Sequence, residues 1–182
     1  MNEKRAIELC LHHRDPIGFE YLAKRFASEA YYHAYSFTGN YEDAADICQE
    51  SFTKAFIAFP KLEKLEKFYP WFYMILRNSC LNFLRKKKNT LEREPNGSDL
   101  ITDLTPEANM EKEEKNAEIK EIIFSLKPEF REILLMKYSD NKNYNQISGL
   151  LGIPRGTVMS RLYNARKAFK ELYQKKKEEK NV

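Results

Sequence analysis

Between Asn145 and Arg161 the chain reads NQISGLLGIPRGTVMSR, and one break in it constrains the fold more than any other stretch. Ile147, Leu150 and Leu151 recur at the spacing of one apolar helix face. Gly152 then supplies a residue that tolerates left-handed backbone angles, the usual end of a helix. Pro154 cannot continue that helix but can open another at its first position, where a missing N–H is no loss. A second apolar stripe follows at Val158, Leu162, Ala165 and Phe169. Two helices joined by a tight glycine-containing turn form a helix-turn-helix.

At about 100° per residue, the side of the second helix opposite that stripe holds Gly156, Thr157, Ser160, Tyr163, Asn164 and Lys167. Arg155, Met159, Arg161 and Arg166 flank it. Small and hydrogen-bonding side chains ringed by cations suit entry into a DNA major groove. An ordinary helical hairpin with a solvated polar face gives the same pattern, so this stretch leaves both readings open.

Charge is distributed in blocks. The net +4 divides into +3 over residues 1–91, −6 over 92–118 and +7 over 119–182. Two basic blocks around an acidic one suggest two modules that face nucleic acid and a connector that does not. The connector, NTLEREPNGSDLITDLTPEANMEKEE, is rich in turn signals at Pro95, Asn96-Gly97-Ser98 and Thr105-Pro106. Six glycines, seven prolines and no alternating strand pattern of any length point to mostly helix. The expected fold is therefore all-α: a helical domain over 1–88, a flexible acidic linker over 89–112, and a helix-turn-helix domain over 113–182.

Within the first domain, Asp15-Pro16 starts a helix with Phe19, Leu22 and Phe26 on its apolar face, and Gly39-Asn40 ends it. The next helix places Ala44, Ile47, Cys48, Phe52, Ala55, Phe56 and Phe59 on one side. Asp43, Asp46, Gln49, Glu50 and Thr53 lie on the other, before Pro60 stops it. KLEKLEKFY reads as a polar connector, and Pro70 begins a further helix. In that helix Phe72, Ile75, Leu76, Phe83 and Leu84 are expected inside, with Arg77, Asn78, Asn82, Arg85 and Lys86 outside. In the second domain a charged helix near 111–126 precedes one after Pro128, with Phe130, Ile133, Leu134 and Tyr138 as its apolar residues.

No catalytic set is visible. His12, His13 and His33 have no cysteine or carboxylate at metal-ligand spacing and read as surface or packing residues. Cys10, Cys48 and Cys80 are widely separated, with no CxxC pair, which fits a reducing cytoplasm. No apolar run is long enough to span a membrane, and the first residues lack the apolar core of a signal peptide. No cofactor, metal or small-molecule substrate is expected. The aromatic cluster Phe68, Tyr69, Trp71, Phe72 and Tyr73 lies beside a basic helix, where aromatics can stack unpaired bases. Trp71 and Phe72 are expected in the core, and Phe68, Tyr69 and Tyr73 fit either role.

Taken in order, three segments resemble the extracytoplasmic-function (ECF) group of bacterial RNA polymerase sigma factors. GNYEDAADICQESFTKAF is similar to the region 2 helix that binds the β′ clamp helices. FYPWFYMILRNSCLNFLRKKK is similar to the segment that reads and melts the −10 element. LKPEFREILLMKYSDNKNYNQISGLLGIPRGTVMSRLYNARKAF is similar to region 4, which ends in the −35-reading helix. The resemblance implies that Asp43, Asp46, Gln49 and Glu50 face core polymerase. It implies that Lys64, Phe68, Tyr69, Arg77, Asn78, Asn82 and Arg85 engage the −10 element, where a flipped base is held as the strands part. It implies −35 contacts by Arg155, Thr157, Ser160, Arg161, Asn164 and Lys167, with Arg161 able to bridge a guanine in a bidentate way. The implied partners are core polymerase (β′ clamp helices and β flap), promoter DNA and an anti-sigma factor able to hold this cytoplasmic protein at the membrane.

Two departures bear on the promoter sequence. Met159 stands where the family often has a cation, and Asn145-Gln146 where it usually has an acidic pair. The expected activity is non-enzymatic: directing polymerase to a restricted promoter set and helping open the −10 region. A stand-alone helix-turn-helix regulator is the rival reading, favoured by an apolar dimerisation seam that the sequence does not show. A nucleic-acid-modifying enzyme would need a metal or nucleophile constellation.

Overall fold

A computed structural model describes residues 1–13, 15–62, 64–93 and 110–179, with the side chains of 90–93 and 110–116 outside the description. Every regular element among the described residues is helical. The chain divides into two compact units, Met1–Ser98 and Asp99–Val182. The expected linker over 89–112 lies mostly outside the described residues.

The first unit holds α1 (Glu3–Glu8), α2 (Pro16–Thr38), α3 (Tyr41–Ala58) and α4 (Phe68–Arg93). Local chemistry sets their ends. Asp15 caps α2 by accepting the Ile17 N–H, with Pro16 in the first turn. Gly39 ends it in the left-handed region (φ 69°), a conformation that costs a Cβ-bearing residue about 1–2 kcal/mol. Asn40 immediately caps α3 by accepting from Asp43 N. Helices α2, α3 and α4 pack on one another around Leu22, Phe37, Ile47, Phe59, Phe72, Tyr73 and Leu76, all 4% exposed or less.

Helix α1 was not legible in the sequence. It continues into a wider π-helical turn over Leu9–His13 and packs through Ala6, Ile7 and Cys10. Gly18 makes that packing possible: a Cβ there would lie 2.4 Å from the Ala6 carbonyl oxygen and 2.8 Å from Cys10 Sγ. His33 is buried edge-on to Tyr73, while His12 and His13 are exposed.

The second unit holds α5 (Met110–Ser125), α6 (Pro128–Leu134), α7 (Tyr144–Leu151) and α8 (Arg155–Glu179). Its core includes Ile122, Leu126, Ile133, Met136, Ile147, Leu150, Val158 and Leu162. Arg131 is buried over the Phe124 ring, 5.3 Å from its centroid, and loss of hydration pushes its pKa down to about 10. Tyr138 was expected on the apolar face of α6 but is 58% exposed. The cause is a π-helical turn over Leu135–Ser139, whose extra residue rotates the following positions and brings Met136 inward.

Candidate nucleic-acid and polymerase interfaces

The turn between α7 and α8 follows the chemistry of its residues. Asn143 accepts from the N–H groups of Asn145 and Gln146 while the Gln146 side chain accepts from Asn143 N, a reciprocal capping box. Gly152 closes α7 at φ 63°. The Ser148 hydroxyl donates to the Ile153 carbonyl at 2.6 Å and ties the turn to α7. Pro154 sits one residue before α8, not within it, and its carbonyl accepts the Val158 N–H.

Helix α8 buries Val158, Leu162 and Ala165. Arg155, Thr157, Ser160, Asn164 and Lys167 are exposed, as the periodicity predicts, whereas Arg161 is half-buried on the flank of the stripe. Two cations not grouped in the sequence meet beside α8. Lys137 and Arg155, with Asn143, Tyr144 and Asn145, line a polar pocket of about 240 Å³. Lys137 is held there by the Tyr144 ring, 5.4 Å away, and by donation to the Lys142 carbonyl. The π-helical turn before α7 brings Lys137 to this position, a feature sequence spacing hides.

In the first unit, Asn78, Asn82 and Arg85 form one exposed stripe along α4, with Arg77 half-buried at its edge. Lys64 is exposed before α4 and pairs with Glu66 at 3.4 Å. Two expected aromatic contacts need correction. Phe68 is fully buried and Tyr69 is 7% exposed. Phe68 stacks on Phe72 at 5.4 Å and on Phe26 at 5.7 Å, and Tyr69 stacks on Phe26 at 5.1 Å. Neither ring offers a face to a base. Trp71, expected inside, is half-buried instead, with Phe59 and Phe68 against its edge. Its position seven residues before Asn78 puts it on the stripe of Asn78, Asn82 and Arg85. Met74, 40% exposed, lies beside it.

On α3, Asp46, Gln49 and Glu50 are exposed. Glu50 pairs with Lys54 at 2.6 Å, and Lys54 also donates to Ser79 of α4. Asp43 is half-buried and lies 3.8 Å from Lys87 of α4. Next to Gln49 an apolar groove of about 500 Å³ opens between α2 and α3, lined by Phe19, Ala23, Lys24, Ala27, Gln49, Phe52, Thr53 and Phe56. Phe56, expected on the apolar side of α3, is 50% exposed along it.

A sigma-70 region 2 family model matches residues 22–90, and a sigma-70 region 4 model matches 116–169. The ECF RNA polymerase sigma-E factor of Salmonella typhimurium is 31% identical over 136 residues, covering 69% of this chain and 71% of its own. The chain belongs to the ECF family of RNA polymerase sigma factors. The ECF sigma factor SigW of Bacillus subtilis is 28% identical over 167 residues, covering 86% of this chain and 89% of its own. Among solved structures, the sigma factor RpoE of Bartonella quintana, crystallised with the anti-sigma factor NepR, superposes with a TM-score of 0.68. It is 20% identical and covers 86% of this chain and 96% of its own. CnrH in complex with the cytosolic domain of CnrY gives 0.64 at 17% identity, covering 94% of each chain. These two likenesses concern the fold.

The protein is thus an RNA polymerase sigma factor that directs initiation by binding polymerase and promoter DNA. A stand-alone helix-turn-helix regulator accounts for the second unit but not for the region 2 match in the first. No helix among the described residues is long and apolar enough to cross a membrane.

Proposed function

We propose that this sigma factor divides its work among three faces and performs no chemistry of its own. Core polymerase docks on α3, where Asp46 and Glu50 are exposed and Gln49, Phe52 and Phe56 line the apolar groove. That groove carries the assignment. An apolar cleft beside exposed acids suits an amphipathic helical partner with basic flanks, as expected of the β′ clamp helices. Asp43, held by Lys87, contributes less. The −10 element runs along Trp71, Asn78, Asn82 and Arg85 of α4, with Trp71 the available stacking ring and Lys64 and Arg77 flanking it. The −35 element meets Thr157, Ser160 and Asn164 of α8, while Arg155, Lys137 and Lys167 hold backbone phosphates. Arg161 borders this face and the core. A partner of the anti-sigma class covers one or more of these faces and keeps the protein inactive, as the likeness to structures solved in complex with NepR and CnrY suggests. Through such a partner the cytoplasmic protein is held at the membrane.

Mixing with core polymerase tests the assignment. Asp46→Arg and Phe56→Glu should each lower co-elution with core at least tenfold while helical content is unchanged, since exposed changes shift stability by only about 0.5 kcal/mol. Full co-elution of both folded variants would overturn the polymerase face.

A further inference from the structure

Helix α8 carries two large apolar side chains on its solvent side, Met159 at 49% exposure and Tyr163 at 65%. They are four residues apart and therefore neighbours, one turn above the other, about 40° apart around the axis. Neither packs in the core that Val158, Leu162 and Ala165 form. Tyr163 lies within about 60° of Ser160, near the centre of the outward face, and Met159 borders it. Arg161 lies on the opposite flank, roughly 160° away from both. The best-placed bulky groups on the reading face are thus a thioether and a phenol ring, not a guanidinium.

Around them the helix is cationic, with Arg155, Arg166, Lys167 and Lys170 exposed. Such charge draws the helix onto the phosphate backbone and leaves the apolar pair facing the base edges. In the major groove the one apolar base group is the 5-methyl of thymine. We propose that Met159 and Tyr163 form an apolar reading patch that selects thymine in the −35 element through its 5-methyl group. The inference rests on the assignment of α8 to the −35 element and adds the base it prefers.

The test uses holoenzyme assembled from core polymerase and the full chain, on promoters selected from a library randomised at −35. Each −35 thymine is replaced by deoxyuridine, which removes the methyl and nothing else. At one or two positions uracil should weaken promoter binding about three- to fivefold, the value of one buried methyl group. Met159→Ala or Tyr163→Ala should shrink that ratio towards one, with Met159→Leu retaining it. An unchanged thymine-to-uracil ratio in both alanine variants, or no uracil effect with the natural chain, overturns the inference while −35 dependence survives. If scrambling the whole −35 element leaves transcription unchanged, the parent assignment falls with it. Weaker core association by Met159→Ala without DNA would also overturn it, because the patch would then face polymerase.

Discussion

The Glu3 carboxylate accepts the Phe68 N–H at 2.9 Å across 65 residues of sequence, so the first helix of the chain caps the helix proposed to run along the −10 element. Helix α4 has Pro70 in its first turn, and the free N–H groups there need an acceptor. Glu3 provides one from outside. Glu3→Ala should therefore lower the stability of the first unit by about 1 kcal/mol, the usual worth of an N-cap. Glu3→Gln, which still accepts, should cost less. Urea unfolding of both variants checks this, and equal losses would mean that charge near the helix end, not the hydrogen bond, matters.

Two glycines should respond in opposite directions to alanine. At Gly18 the new Cβ would sit 2.4 Å from the Ala6 carbonyl, 2.8 Å from Cys10 Sγ and 3.0 Å from Leu9 Cβ, so α1 must lift from α2. Overpacking of this kind costs about 1–3 kcal/mol. At Gly149, within α7, nothing lies within 4 Å of the new Cβ. Gly149→Ala should gain up to about 1 kcal/mol by helix propensity. Thermal melts of the two variants give the comparison, and a stabilised Gly18→Ala protein would show that α1 is not packed as described.

These positions also show what the sequence made legible. Glycines with local consequences were readable: Gly39 and Gly152 both adopt the positive φ that helix ends require. Caps at Asp15 and Asn40 follow from residue type and neighbours alone. The helical face of α8 was also readable, because 3.6-residue periodicity is a local property. Two kinds of feature were not. The π-helical turns at Leu9–His13 and Leu135–Ser139 each insert a residue into the period, which moved Tyr138 out and placed Lys137 beside Arg155. Nothing local marks such a turn. Long-range stacking was equally hidden. Phe68 and Tyr69 are claimed by Phe26, more than 40 positions away, and Trp71 is left half-buried.

Stability should fall at high pH through the buried thiols. Burial pushes Cys48 up to about 12 and, with Asp15 beside it, Cys10 up to about 11, against an ordinary value of 9.0. Below pH 9 both folded and unfolded thiols are protonated and the full stability is present. Above pH 9 the unfolded chain loses these protons while the native protein keeps them, so stability declines as pH rises towards 12. Cys48→Ala removes one such group. The stability gap between the natural chain and Cys48→Ala should therefore narrow by about 1–2 kcal/mol between pH 8 and pH 10.5. A gap that stays constant over that range would show that Cys48 ionises alike in both states.

The last expectation separates phosphate contacts from base contacts in the second unit. Lys137 lines the pocket it shares with Arg155, and Lys167 is exposed one turn from Asn164, with Glu171 at 4.0 Å. A cation on a phosphate displaces about one condensed counterion and is indifferent to sequence. Lys137→Ala and Lys167→Ala should each weaken all promoters evenly and lower the slope of log affinity against log salt by about one unit. Asn164→Ala should behave differently, because an amide can pair with adenine through two hydrogen bonds. It should change the preference at one −35 position and leave the salt slope alone. Holoenzyme binding to a −35 single-base library at several salt concentrations measures both quantities. An even loss for Asn164→Ala across all bases, with the salt slope unchanged, would move that residue to the backbone. A base-selective loss for Lys137→Ala would make the pocket beside α8 a reading site in its own right.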